Sequence, residues 1–84
     1  MVYTYRVVLE TDNETREIVA SLPTLNYTAD FGGTAEEALA RLQELATGFL
    51  ETLREAGEPI PTPDPVSGGG LYLSVELEAA PTAA

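Results

Sequence analysis

The sequence predicts an α+β fold of order β-β-β-α-β, a mixed four-stranded sheet ordered 3-2-1-4 with one long helix packed on one face. Three observations predict it. Apolar residues alternate at period two near both ends of the chain. A single stripe at three- and four-residue steps runs from Ala35 to Ala56. Between that stripe and the last alternating stretch, Gly57-Glu58-Pro59-Ile60-Pro61-Thr62-Pro63 stops the helix.

Each element has a local reason. Tyr3, Tyr5, Val7 and Leu9 alternate with Thr4, Arg6, Val8 and Glu10, a first strand. Thr11-Asp12-Asn13-Glu14-Thr15 reads as a turn, since Asn and Asp tolerate positive φ. Ile18, Ala20 and Leu22 give the inward face of a second strand, ended by Pro23. Tyr27 to Phe31 is a third, short strand, and Gly32-Gly33 breaks it. Thr34-Ala35-Glu36-Glu37 is a capping box, with the Thr34 hydroxyl and the Glu37 carboxylate each taking a backbone N–H. Gly57 suits the left-handed residue that closes a helix, and Pro59 and Pro61 keep the following segment extended. Ser67-Gly68-Gly69-Gly70 reads as a hinge. Leu71, Leu73, Val75 and Leu77 alternate into a last strand, expected to run parallel to the first. Residues 1–78 form one domain, and 79–84 have the patternless composition of a disordered tail.

A helix from Ala35 to Ala56 is about 33 Å long. A strand of six to eight residues spans about 20–27 Å. The far end of the helix is therefore expected to overhang the sheet, which makes Phe49, Leu50 and Leu53 the candidate self-association residues.

Composition narrows the chemistry. The 84 residues allow one small core, and 44% of them are hydrophobic, enough for a globular domain. Cysteine and histidine are both absent, so no disulfide, thiolate metal site or imidazole base is available. Fourteen acidic residues oppose four arginines, a formal charge of −10. Such a chain repels phosphate backbones and attracts a basic protein, so direct nucleic-acid binding is not expected. No apolar run approaches the roughly 20 residues of a membrane span, and the N-terminus does not read as a signal peptide; a cytoplasmic protein is expected.

Catalytic motifs are weak throughout. Gly68-Gly69-Gly70 precedes a strand rather than a helix, and the chain has no lysine, so a phosphate loop is disfavoured. Glu10, Asp12, Asp30 and Glu76 could hold Mg²⁺ only by converging on one point, which their placement at strand ends and in a turn does not suggest. Ser21, Ser67 and Ser74 have no base to activate them. A small hydrolase or nuclease is therefore set aside, and no cofactor or metal is expected.

Leu22-Pro23, then Gly32-Gly33-Thr34 with Ala35-Glu36-Glu37-Ala38-Leu39, then Gly57-Glu58-Pro59-Ile60-Pro61 together resemble the HicB-like antitoxin family, over Tyr5 to about Leu77. The resemblance implies an N-terminal-type HicB domain with a partial ribonuclease-H-like fold, in which Pro23, Thr34, Glu37, Gly57, Pro59 and Pro61 are structural. It implies a partner, a small HicA-like toxin that cleaves mRNA with a histidine and whose RNA surface the antitoxin covers. It also implies a homodimer or homotetramer. The chain departs from the family in reading Pro23-Thr24-Leu25-Asn26-Tyr27-Thr28 where members often read Pro-Asp-Leu-Pro-Gly-Cys, and in placing Gly33 where a polar residue is usual. It also shows no C-terminal DNA-binding domain, so autorepression by direct DNA contact is not expected.

The expectation is an antitoxin that binds and neutralises a small basic HicA-type mRNA interferase by steric and electrostatic masking. Asp30, Glu36, Glu37 and Glu44, near the third strand and helix start, are the candidate partner-facing charges. The alternative is an orphan self-associating domain with no toxin.

Overall fold

A computed structural model describes residues 1–77; the expected tail at 79–84 lies outside the described residues. The long first strand is broken at Val7 into β1 (Val2–Arg6) and β2 (Val8–Thr11). β3 (Ile18–Leu22), a 3₁₀ turn (Pro23–Leu25), β4 (Thr28–Gly32), α1 (Ala35–Glu55) and β5 (Tyr72–Glu76) follow. Two sheets result, β1-β5 and β2-β3-β4, rather than one sheet of four strands. The neighbours are those expected, but the first strand serves one sheet with each half.

The last strand corrects a second expectation. β5 pairs β1 antiparallel, Tyr3 opposite Val75 and Tyr5 opposite Leu73. A helix followed by a short link would have delivered β5 parallel to β1. The extended connector after Gly57 is long enough to recross the layer instead, since seven residues from Pro59 to Pro65 reach about 22 Å in polyproline geometry. The chain therefore enters β5 from the opposite end.

That connector also completes β1. Met1 and Leu77 exchange N–H···O bonds at 2.8 and 2.9 Å, and Val7 N–H donates to Leu71 O at 2.9 Å. Antiparallel pairing then turns the odd-numbered backbone groups of β1 toward β5 and the even-numbered ones to the other edge. On that edge Asp64 N–H donates to Thr4 O at 3.0 Å, and Asp64 Oδ2 accepts Arg6 N–H at 2.8 Å. The same carboxylate accepts the Thr24 hydroxyl at 2.8 Å, tying the connector to the turn after β3. An edge left open where Pro23 ends β3 is thus closed by one aspartate.

α1 lies across the layer. Ala38, Leu42, Ala46 and Leu50 are buried with Tyr5, Val7, Ala20, Leu22, Leu25, Leu73, Val75 and Leu77. The anticipated overhang does not hold for Leu50, which is fully buried. Leu25 from the 3₁₀ turn belongs to the same cluster, and Ile60 of the connector packs against it, so the core extends beneath the helix end. Phe49 and Leu53 also pack against it and are half-buried. Neither free edge is left bare: Gln43 donates to Ser74 O of β5 at 2.8 Å, and Arg41 to Phe31 O of β4 at 3.4 Å.

The helix ends behave largely as their residues dictate. Thr34 Oγ1 accepts Glu37 N–H at 3.1 Å, but the Glu37 carboxylate turns to Arg41, 3.2 Å away, rather than completing the box. Gly57, at φ +73°, donates to Arg54 O and Glu58 N–H to Leu53 O, a Schellman closure. In the β2–β3 loop positive φ falls on Arg16, not on Asp12 or Asn13. Asp12 instead accepts the N–H groups of Glu14 and Thr15 at 2.8 and 3.2 Å, which lowers its carboxyl pKa.

Gly32 sits where β4 meets the helix. A Cβ there would lie 2.8 Å from Ala38 N and 2.9 Å from Glu37 Cβ, backbone and stem that cannot swing away. Gly32→Ala is expected to lower unfolding free energy by about 1–3 kcal/mol, the cost of overpacking. Gly33→Ala meets nothing within 4 Å and should leave stability nearly unchanged; chemical denaturation of both variants checks the contrast. The buried Tyr5 phenol donates to Pro61 O at 2.8 Å, and its pKa is pushed from 10.0 to about 12, by burial first and then by Tyr3 and Asp64. The fold favours the neutral phenol, so this contribution is intact below pH 10 and is lost as pH rises from 10 toward 12. Unfolding free energy followed through that window should fall, and Tyr5→Phe should flatten this part of the slope.

Candidate functional site

The cross-strand register decides which side chains share a surface. In the three-stranded sheet Glu10 lies opposite Val19 and Val19 opposite Phe31; Val8 lies opposite Ser21 and Ser21 opposite Ala29. Ala20, on the alternate face, is buried with the helix core. The face turned away from α1 therefore carries Val8, Val19, Ala29 and Phe31 in adjacent positions. Phe31 is 49% exposed, an aromatic ring presented to solvent on the open sheet face.

Acidic residues border this apolar strip. Asp12, Thr15, Glu17, Val19 and Phe31 line a shallow depression of about 250 Å³ at one end. Glu10 stands in the same cross-strand row as Val19 and Phe31 and is exposed. Carboxylates around an exposed aromatic ring can receive a partner with basic side chains around an apolar anchor.

The four charges anticipated at the helix start do not form one patch. Glu36, Glu37 and Glu44 are exposed, but at 100° per residue Glu36 points away from the other two. Glu36 borders a groove with Leu39, Gln43 and Leu73, whereas Glu44 borders a depression with Leu45, Gly48 and Phe49. Glu37 is paired with Arg41. Asp30 lies opposite Ala20, on the helix side of β4, half-buried, with its carboxylate on the Phe31 N–H at 2.8 Å.

Glu10 and Glu76 stand in different sheets, and among the described residues no three Asp, Glu, His or Cys side chains group as metal ligands. The glycine run is a turn that clasps a ring. Ser67 N–H donates to the Tyr72 hydroxyl at 3.0 Å and the two hydroxyls lie 3.2 Å apart. A Cβ at Gly70 would come within 2.6 Å of the Tyr72 ring, so a larger residue there would push the ring out of its place. With Arg6 and Asp64 these residues line a polar hollow of about 500 Å³. The Ser67 hydroxyl, then its N–H, hold the Tyr72 pKa below its ordinary value. Ser67→Ala is expected to move the Tyr72 pKa upward, as read from the pH dependence of its ring resonances.

Two residues of consequence, Phe31 and Asp64, were not singled out by the sequence reading. Phe31 reads as an ordinary strand aromatic until register assigns its face. Asp64 carried a faint signal, an acidic residue between Pro63 and Pro65 in a segment short of backbone donors.

The sequence matches no protein-family model and no curated protein. The structure is similar to the crystal structure of the N-terminal domain of the antitoxin HicB from Burkholderia pseudomallei, with a TM-score of 0.65 and 20% identity, covering 94% of this chain and all of that one. At that identity the likeness is one of fold: the chain has the fold of a HicB antitoxin N-terminal domain.

Proposed function

We propose that the protein is the toxin-binding part of an antitoxin, neutralising a small basic HicA-type mRNA interferase by covering its RNA-binding surface. The observation that carries this reading is the fold, shared with a HicB antitoxin domain across 94% of the chain. The charge of −10 suits a basic partner, since opposite potentials speed encounter and fix orientation. The contact surface on this reading is the open face of β2-β3-β4, with Phe31 as anchor and Glu10, Asp12 and Glu17 as the acidic rim. Glu36 and Glu44 contribute to the general field, while Glu37 is paired with Arg41 and Asp30 lies on the helix side of β4, away from this face.

The protein performs no chemistry of its own in this account. The groups with shifted pKa values, Tyr5, Asp12 and Tyr72, each owe the shift to a contact within the fold. Self-association, the alternative reading, is compatible with masking because the helix and the open sheet face lie on opposite sides.

The test is titration of the protein into an RNA-cleavage reaction run by a purified HicA-type mRNA interferase. Cleavage should cease at a fixed molar ratio. Phe31→Ser should leave thermal stability nearly unchanged and weaken binding about tenfold or more, the scale of an aromatic anchor. Glu10→Lys with Glu17→Lys should mainly slow association. Undiminished cleavage at excess protein would sink the assignment.

A further inference from the structure

The polar hollow beside the glycine run is lined by groups that donate hydrogen bonds more than they accept them. Arg6 and Tyr72 are cross-strand partners in β1 and β5, so their side chains stand side by side on the face turned away from buried Tyr5 and Leu73. The Ser67 N–H bonds the Tyr72 hydroxyl, which folds the loop over the end of that ring. Gly68 and Gly69 continue the lining, and among the described residues neither N–H has a hydrogen-bond partner.

Asp64 supplies the carboxylate of this hollow, but it is turned elsewhere. Its Oδ2 accepts the backbone N–H of Arg6, and both its oxygens lie 2.8 Å from the Thr24 hydroxyl. The Arg6 guanidinium is exposed and has neither an ion-pair nor a hydrogen-bond partner among the described residues. With fourteen acidic residues against four arginines, a cation left unpaired beside a carboxylate is a feature the fold itself does not use. We propose that the hollow binds a carboxylate, held by the Arg6 guanidinium and by the Gly68 and Gly69 N–H groups.

The donor set selects this chemistry. A guanidinium fork matches the two oxygens of a carboxylate, and successive backbone N–H groups in a turn are the donors that capture free and chain-terminal carboxylates. One cation balances a singly charged anion. A phosphate dianion would set a second negative charge near Asp64, in a chain of net charge −10 that has no lysine. The volume of about 500 Å³ leaves room for the group that carries the carboxylate, a small organic acid or the end of a peptide. The hollow lies on β1, β5 and the connector, outside the β2-β3-β4 face, so the proposal does not depend on toxin binding.

Titration of the ¹⁵N-labelled chain with sodium acetate, against sodium chloride at equal ionic strength, tests it by nuclear magnetic resonance. The Gly68 and Gly69 amide and Arg6 side-chain resonances should shift with acetate and saturate with a Kd of about 1–10 mM, the range open to so small a ligand. Arg6→Gln keeps the backbone N–H that Asp64 accepts, so the thermal midpoint should hold while binding weakens about tenfold. Arg6→Lys, a charge without the fork, should recover part of that loss. Arg16→Gln removes the same charge from the β2–β3 loop and should leave the Kd unaltered. A short peptide with a free C-terminus and its amidated form separate the two sources. Binding tighter than acetate by the free acid alone assigns the hollow to chain ends, and equal or weaker binding assigns it to small organic acids. Equal shifts in chloride, a Kd indifferent to Arg6→Gln, or inorganic phosphate binding more tightly than acetate would each overturn the proposal.

Discussion

The fold rests on one strand having to satisfy two sheets. β1 and β2 are a single extended run, yet its odd-numbered edge is paired with β5 over the first half and its even-numbered edge with β3 over the second. The half-edge at Thr4 and Arg6 would otherwise present unpaired backbone groups beside the core. Asp64 closes it with its own N–H and with a carboxylate that takes two donors. A carboxylate accepting backbone N–H groups makes stronger bonds than a neutral acceptor would. The proline-rich connector can therefore serve as a third layer edge although its prolines cannot donate. The register of β5, and with it the burial of Leu73 and Val75, follows from that placement.

How much of this was legible in the sequence depended on whether the cause was local. The helix was readable because its cap, stripe and stop are written in neighbouring residues: Thr34 bonds Glu37 N–H, and Gly57 takes positive φ. The burial of Ala20 and Leu22 was readable for the same reason. The direction of β5 was not, because it depends on how far the connector travels before it turns, and that distance is fixed by contacts to β1 some 58 positions away in sequence. The candidate surface failed similarly. Tyr27 to Phe31 could be read as a strand, but only pairing with β3 says that Ala29 and Phe31 stand on the face away from the helix. Leu50 was misjudged because the length comparison omitted Leu25 and Ile60, which extend the core from irregular segments.

The turn at Asn26-Tyr27 shows the same interplay of local rule and tertiary demand. Both residues have φ of +56°, and Tyr27 stands 74% exposed. HicB-like sequences often place glycine at the Tyr27 position, where left-handed backbone is free of strain. A tyrosine there costs about 1–2 kcal/mol. The conformation persists because its surroundings fix it: Leu25 is buried on one side, and Thr28 donates to Leu25 O at 2.7 Å on the other. Asn26 takes the same left-handed backbone where HicB-like sequences often read proline, whose φ is fixed at about −65°, so the turn departs from that motif in shape as well as in side chain.

Among the described residues, every fully buried side chain apart from the Tyr5 phenol is wholly apolar, and that phenol has a partner. Among those residues no polar side-chain atom is buried without a hydrogen-bond partner. A domain built this way holds no desolvated polar group in reserve, and its charge stands at the surface where solvent and partners meet it. Such charge steers and orients rather than reacts, because water screens it until another surface excludes the water. One exposed feature that the core does not explain is the Phe31 ring, on a sheet face bordered by Asp12 and Glu17 and turned away from the helix.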